Sequence, residues 1–168
     1  MAKRRRHDTP VSAGTPATVA LAKAGVAFTV HPYDHDPTAE SYGLEAAEAL
    51  GVPPERVFKT LVARVDDALT VAIVPVSGTL DLKALAKACG AKRAVMAEIR
   101  DAERATGYVA GGISPLGQRT RLPTVIDTRV TDFPTVFVSG GKRGVDLELA
   151  PDDLIQLTSA ATAPVGRD

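Results

Sequence analysis

The chain has 168 residues, 45% of them hydrophobic and 24% charged, a length and balance that suit one globular domain with its own core. Its 20 basic and 20 acidic residues cancel, which excludes the large positive excess of a protein that coats nucleic acid without selectivity. No apolar run approaches the roughly 20 residues of a membrane span, and no apolar h-region follows the basic start "MAKRRRHDTP".

Residues 1–14 are polar, basic and small, and read as a flexible tail; 15–168 read as a single domain. In "TPATVALAKAG", Thr15 caps a helix, Pro16 suits its first turn and Gly25 stops it. "VAFTVHPYDHDP" is a strand entering a proline-bounded loop. A second helix is expected over Ala39 to Leu50, capped by Thr38 and closed by Gly51. "VPPER" leads into the strand "VFKTLVARV", where Val57, Leu61 and Ala63 share a face at a period of two. Lys59 falls on that same face. A lysine there must snorkel out, find a partner or line a cavity.

"DALTVAIVPV" is the next strand, joined to the previous one through Asp66 and Asp67 as a hairpin. "DLKALAKACG" is a short helix capped by Asp81. "AVMAE" is a short strand, and "IRDAERATG" a helix ending at Gly107. The glycine-rich "YVAGGISPLGQRTRLP" follows, then the strands "TVIDT" and "TVFVSG", a turn "GGKRG", a last strand "VDLEL", and a closing helix from Pro151. The later loops are too short for helical crossovers, so antiparallel or mixed pairing is expected in one α/β domain.

Familiar catalytic motifs are missing. His31 and His35 in "HPYDHD" lie four apart, but Pro32 and Pro37 deny them a shared helix face, so a hydrogen-bonded loop histidine is the better reading than a metal site. "GGISPLG" lacks the Gly-Lys-Ser/Thr ending of a phosphate loop. The single cysteine, Cys89, has no partner for an internal disulfide and fits a reducing cytoplasm. At the C-terminal end of a helix, where the macrodipole disfavours a thiolate, it reads as core filler. Local positive charge gathers at Lys92 and Arg93, at Arg119 and Arg121, and at Lys142 and Arg143; each pair alone reads as solvated surface.

Taken together and in order, "HPYDHDP", "ERVFKTLV", "VPVSGTLDLKALAKACGAK", "TGYVAGGISPLGQRTRLPTVID" and "VSGGKRGVDLELAPDDL" resemble the bacterial YbaK family of aminoacyl-tRNA deacylases, from about Thr18 to Leu157. The resemblance implies the fold of the editing domain of bacterial prolyl-tRNA synthetases, an α/β (mixed α+β) fold with a mixed, partly barrel-like sheet surrounded by helices. It implies hydrolysis of mischarged Cys-tRNA(Pro), and of Cys-tRNA(Cys), with no cofactor and no metal. The family's lysine corresponds to Lys59, and its glycine-x-x-x-proline loop to Gly111, Gly112, Ile113, Ser114 and Pro115. Its substrate-pocket tyrosine and aspartate correspond to Tyr33 and Asp146.

The implied partners are the aminoacyl-tRNA acceptor end, of tRNA(Pro) and of tRNA(Cys), and a transient complex with prolyl-tRNA synthetase; no membrane is involved. In this family the substrate's own thiol is thought to attack its ester, with Lys59 and the main-chain N–H groups around Gly111 and Gly112 stabilising the oxyanion. Two alternatives remain open at this point. One is an Ala-tRNA(Pro) deacylase of the same superfamily using water. The other is a binding module that grips tRNA or a synthetase without catalysis.

Overall fold

The computed structural model describes residues 14–168, so residues 1–13 of the expected tail lie outside the described residues. Helix α1 (Pro16–Ala24) starts as read from the sequence: Thr15 Oγ1 accepts from Thr18 N–H, and Gly25 ends it at φ 70°. Strand β1 (Phe28–Pro32) follows, so His31 is a strand residue rather than a loop one. Its Nε2 lies 2.8 Å from Glu148 Oε1.

Helix α2 (Tyr42–Leu50) begins three residues later than expected. Thr38 is spent on a local turn, its N–H and hydroxyl both donating to Asp36 Oδ1, so Ser41 takes the cap by accepting from Leu44 N–H. A 3-10 turn (Pro54–Arg56) then delivers the chain to β2 (Phe58–Val65). The hairpin to β3 (Ala68–Pro75) turns through Asp66 and Asp67, with Asp66 at φ 50°.

The remaining elements are β4 (Thr79–Leu80), α3 (Leu82–Ala88), β5 (Ala94–Met96), α4 (Ile99–Thr106), β6 (Thr124–Asp127), β7 (Val136–Lys142), β8 (Val145–Leu149) and α5 (Pro151–Thr158). The expected "GGKRG" turn is narrower than read, because β7 runs on through a bulge between Ser139 and Lys142. "VDLEL" is not the last strand either. β9 (Ala161–Ala163) and β10 (Gly166–Arg167) follow, too short and too polar for a period to reveal them.

Pairing is mixed. One sheet runs β5-β2-β3-β6-β9, with β6 parallel to both β3 and β9; a second runs β1-β8-β7, wholly antiparallel; β10 pairs with β4. The larger sheet does not close into a barrel. A single parallel bridge, Val57 to Phe137, ties its β2 end to the smaller sheet.

Strand β3 is buried on both faces, which explains its unbroken apolar run. Val71 and Ile73 face a core shared with Phe58, Ile126, Leu147, Leu149 and Leu154. Ala72 and Val74 face a second cluster with Ala63, Val125 and Leu85 of α3. Among the described residues no helix is long and apolar enough to cross a membrane.

The C-terminal strands are held by Asp127, which is 1% exposed. Its Oδ1 accepts from Arg129 N–H and Nε–H at 2.9 and 2.8 Å, and its Oδ2 from Gly166 N–H at 2.6 Å. Truncation leaves the Arg129 and Gly166 N–H groups without their acceptor and takes from Arg129 one of its two carboxylates, Asp168 being the other. Asp127→Ala is therefore expected to cost about 3 kcal/mol in urea unfolding; a loss no larger than an ordinary surface substitution would contradict this staple.

Candidate active site

Strand β2 pairs with β3 along its whole length, but with β5 only at Ala63, Arg64 and Val65. At its start, Val57 is bridged to Phe137. Between these anchors the outer edge of Lys59–Leu61 has no ladder partner, and a cavity of about 320 Å³ opens there. That volume is at the small end of the range for ligand sites. The wall comprises β2 from Phe58 to Val62, Tyr42 and Ala46 of α2, Met96 at the end of β5 with Ala97 and Ile99 beyond it, Gly111 and Ile113, and Ser139, Lys142, Arg143 and Asp146 of the β7–β8 hairpin.

Lys59 lines this cavity and makes no salt bridge or hydrogen bond among the described residues. Burial alone lowers its pKa, because an ammonium loses hydration there without gaining a counter-charge. Thr60 adds donors beside it. Val62 O accepts from Ala97 N–H on the outer edge, and by alternation the Thr60 main-chain groups face the same way. The Thr60 hydroxyl is buried and unpartnered.

Asp146 comes from β8, opposite His31 on one side and Ser139 on the other. It is 5% exposed, and burial pushes its carboxyl up to about 7. Lys59 does not offset that shift, so the two are held in one cavity without forming an ion pair. Tyr33 lies near Asp146; burial first, then that carboxylate, raises its phenol. Tyr33 N–H donates to Gly144 O at 2.8 Å, which fixes the strand's exit.

The glycine loop divides. Gly111, at φ 94°, lines the cavity, and a Cβ there would sit 2.7 Å from the Tyr42 ring, so only glycine fits. Ile113 also lines it. Gly112 N–H is already given to Val109 O, and Gly112 O accepts from the Ser139 hydroxyl, so Gly112 shapes the loop rather than facing the cavity. Ser114 is fully buried with its Oγ accepting from Leu116 N–H, and Pro115 faces a separate hollow on the other side. Tyr108 anchors the loop's far end through its hydroxyl, which donates to Leu116 O at 2.6 Å.

Several lining residues carry no local signal in the sequence. Tyr42 packs on Gly111, and the Arg143 guanidinium stacks on the Tyr42 ring at 3.7 Å while donating to Asp36 O. Ser139 lines the cavity from within the strand, and Lys142 and Arg143, expected as solvated surface, line it too, with Arg143 largely buried. Cys89 proves to be exposed rather than core, as the residue closing α3, and its thiol is raised by partial burial. None of the residues lining the cavity is a cysteine or a histidine. The hydroxyl of Ser139 donates to Gly112 O and accepts from Gly141 N–H, so it is engaged within the loop and hairpin. This arrangement can bind and polarise an ester, and its wall holds neither a cysteine to attack one nor a histidine to activate a hydroxyl.

The family model of the aminoacyl-tRNA editing domain matches residues 36–157. Over 120 residues the chain is 41% identical to EbsC of Enterococcus faecalis, a candidate Cys-tRNA(Pro)/Cys-tRNA(Cys) deacylase, covering 71% of this chain and 73% of that one. Over 101 residues it is 35% identical to a proline–tRNA ligase of Shouchella clausii, covering 60% of this chain but 18% of the ligase. Among solved structures, a candidate trans-editing enzyme for prolyl-tRNA synthetase superposes with a TM-score of 0.80 at 25% identity, covering 91% of this chain and 96% of that one.

The raised Asp146 carboxyl sets a pH dependence of stability. Its folded value of about 7 exceeds the ordinary 3.8, so the folded state holds a proton that the unfolded state releases. Wild-type stability should therefore fall as pH rises from about 4 to about 7 and then level off. Asp146→Asn should remove that slope and leave the variant a few kcal/mol more stable than wild type at pH 8. Parallel pH profiles of thermal melting for the two proteins would contradict the assignment.

Proposed function

The chain belongs to the aminoacyl-tRNA editing domain family, and we propose that it is a trans-editing enzyme that deacylates Cys-tRNA(Pro), and also Cys-tRNA(Cys). The observation that carries this reading is a small cavity holding an unpaired ammonium, with no cysteine or histidine in its wall. An enzyme built this way needs its nucleophile from outside. A cysteinyl ester brings one in its own thiol.

In the proposed reaction the substrate sulfur attacks the ester carbonyl, the bond from that carbon to the ribose oxygen breaks, and the thiol proton ends on the departing ribose hydroxyl. The products are a cysteine thiolactone, which water opens to cysteine, and free tRNA. The attack is intramolecular, so holding the ester in a folded conformation replaces an encounter, an advantage that reaches effective molarities of about 10⁵ M or more in favourable systems. Lys59, with the N–H groups of Thr60 and Gly111, supports the developing oxyanion. Asp146 is suited to the substrate's α-ammonium: an arriving cation would restore the charge that burial suppresses.

Chemistry also supplies selectivity. A pocket distinguishes one methylene by only about 1–3 kcal/mol, whereas requiring a thiol as reactant rejects alanine and proline at the bond-forming step. The role places the protein in the cytoplasm, beside prolyl-tRNA synthetase as the source of mischarged tRNA.

Two outcomes test the reading. Lys59→Ala should lower single-turnover deacylation of Cys-tRNA(Pro) by about 100-fold or more without lowering the melting temperature, since no partner of Lys59 is stranded. Near wild-type turnover by the folded variant would remove Lys59 from the site. Seryl-tRNA(Pro), nearly isosteric, should react at least about tenfold more slowly at saturating enzyme, because a hydroxyl is a weak nucleophile near neutral pH. Equal rates for the two esters would establish water as the nucleophile.

A further inference from the structure

A second concave surface lies apart from the cavity, between α3 and the loop that leads into β5. Lys83 and Lys87 of α3, with Lys92 and Arg93 of the loop, line a groove of about 470 Å³ whose floor is Leu82, Ala86, Ala91 and Ala94. All four cations are exposed, and no carboxylate lines the groove.

None of the four takes part in a salt bridge among the described residues, although eight such bridges occur elsewhere. The carboxylates on the flanking turns are committed to other partners. Asp66 accepts from the N–H groups of Lys92 and Arg93, and Asp81 caps α3 and pairs with Arg167. In a chain of zero net charge these four exposed cations, none of them ion-paired among the described residues, concentrate positive charge on one surface.

The groove also has a fixed relation to the cavity. Ala94, the first residue of β5, lines the groove; Met96, its last, lines the cavity. Two strand steps span about 7 Å, so one extended ligand can occupy both. The Asp66 contacts hold the intervening loop to the β2–β3 hairpin, so Lys92 and Arg93 project from a tethered turn and Lys83 and Lys87 from a helix.

We propose that this groove docks the sugar–phosphate backbone of the unpaired tRNA acceptor end while its terminal aminoacyl-adenosine enters the cavity, an inference that rests on the editing reading above. Phosphates meet the four cations, and the apolar floor accepts the sugars. Such contacts add affinity without reading sequence, since backbone contacts position a nucleic acid but carry no base information. This accommodates both tRNA(Pro) and tRNA(Cys).

The test replaces the four cations together (Lys83→Gln, Lys87→Gln, Lys92→Gln, Arg93→Gln) and, separately, only the loop pair (Lys92→Gln, Arg93→Gln). Binding of an uncharged tRNA(Pro) transcript is measured across a salt titration, and kcat and KM are measured with Cys-tRNA(Pro) and with a cysteinyl ester of adenosine. The quadruple variant should bind the transcript at least about tenfold more weakly, and the slope of log K against log salt should shrink by about 3 for four lost phosphate contacts. The loop pair should lose about half of that slope. KM for Cys-tRNA(Pro) should rise with kcat unchanged, and turnover of the adenosine ester, which carries no phosphate for the cations to hold, should stay at the wild-type level and report an intact fold.

Unchanged transcript affinity and salt slope in the quadruple variant would overturn the proposal, as would a wild-type protein that binds no transcript at low salt. The editing reading fails separately, if wild type deacylates neither ester; transcript binding would still decide the groove.

Discussion

The unpaired outer edge of β2 is the constraint on which the site depends. A strand normally satisfies both edges or turns one to solvent. Here β2 is fully paired on its inner edge, pinned at one end by the Val57–Phe137 bridge and at the other by β5, and left open between. That gap gives the cavity its depth, points the Thr60 main chain into it and brings Lys59 beneath the β7–β8 hairpin.

The electrostatics follow from the same geometry. Lys59 and Asp146 are both desolvated, and each is shifted toward its neutral form by burial. Had the fold placed them in contact, each would have stabilised the other's charge, and a substrate would have had to break the pair before binding. Held apart, they remain available to groups of opposite charge on one ligand: an ester oxygen becoming negative and an α-ammonium. Preorganised charge without a reorganisation cost is what electrostatic catalysis requires. The stability lost by burying them falls on the rest of the fold, which offsets it with a β3 strand buried on both faces.

The loop from Gly107 to Leu116 shows how such a site is kept rigid without a regular element. Gly111 touches Tyr42 and Gly112 lies against the Lys142 backbone, so both approach too closely for a side chain. Ser139 and Tyr108 then tie the loop to β7 and to its own far end. Only Gly111 and Ile113 of the five loop residues face the cavity; Gly112, Ser114 and Pro115 hold the two in place.

Local structure was legible because its causes are local. The caps Thr15 and Asp81 and the hairpin at Asp66 and Asp67 act across four residues or fewer, and the period-two alternation marked Lys59 as the one charged member of an apolar strand face. The choice between Thr38 and Ser41 as a cap was not legible, because it turned on which of two hydroxyls the Asp36 turn had already engaged. The outward position of Cys89 depended on how far α3 rotates against the sheet, which no period in seven residues defines. By itself, then, the sequence determined the longer elements, though not β4, β9 or β10, along with the anomaly at Lys59 and the lack of a nucleophile motif. The tertiary structure decided that Lys59, Tyr33 and Asp146 share one cavity without pairing: Lys59 sits on β2, Asp146 on β8 and Tyr33 just past the end of β1, and their meeting is set by β1–β8 register and the open β2 edge, neither of which is encoded within any one segment.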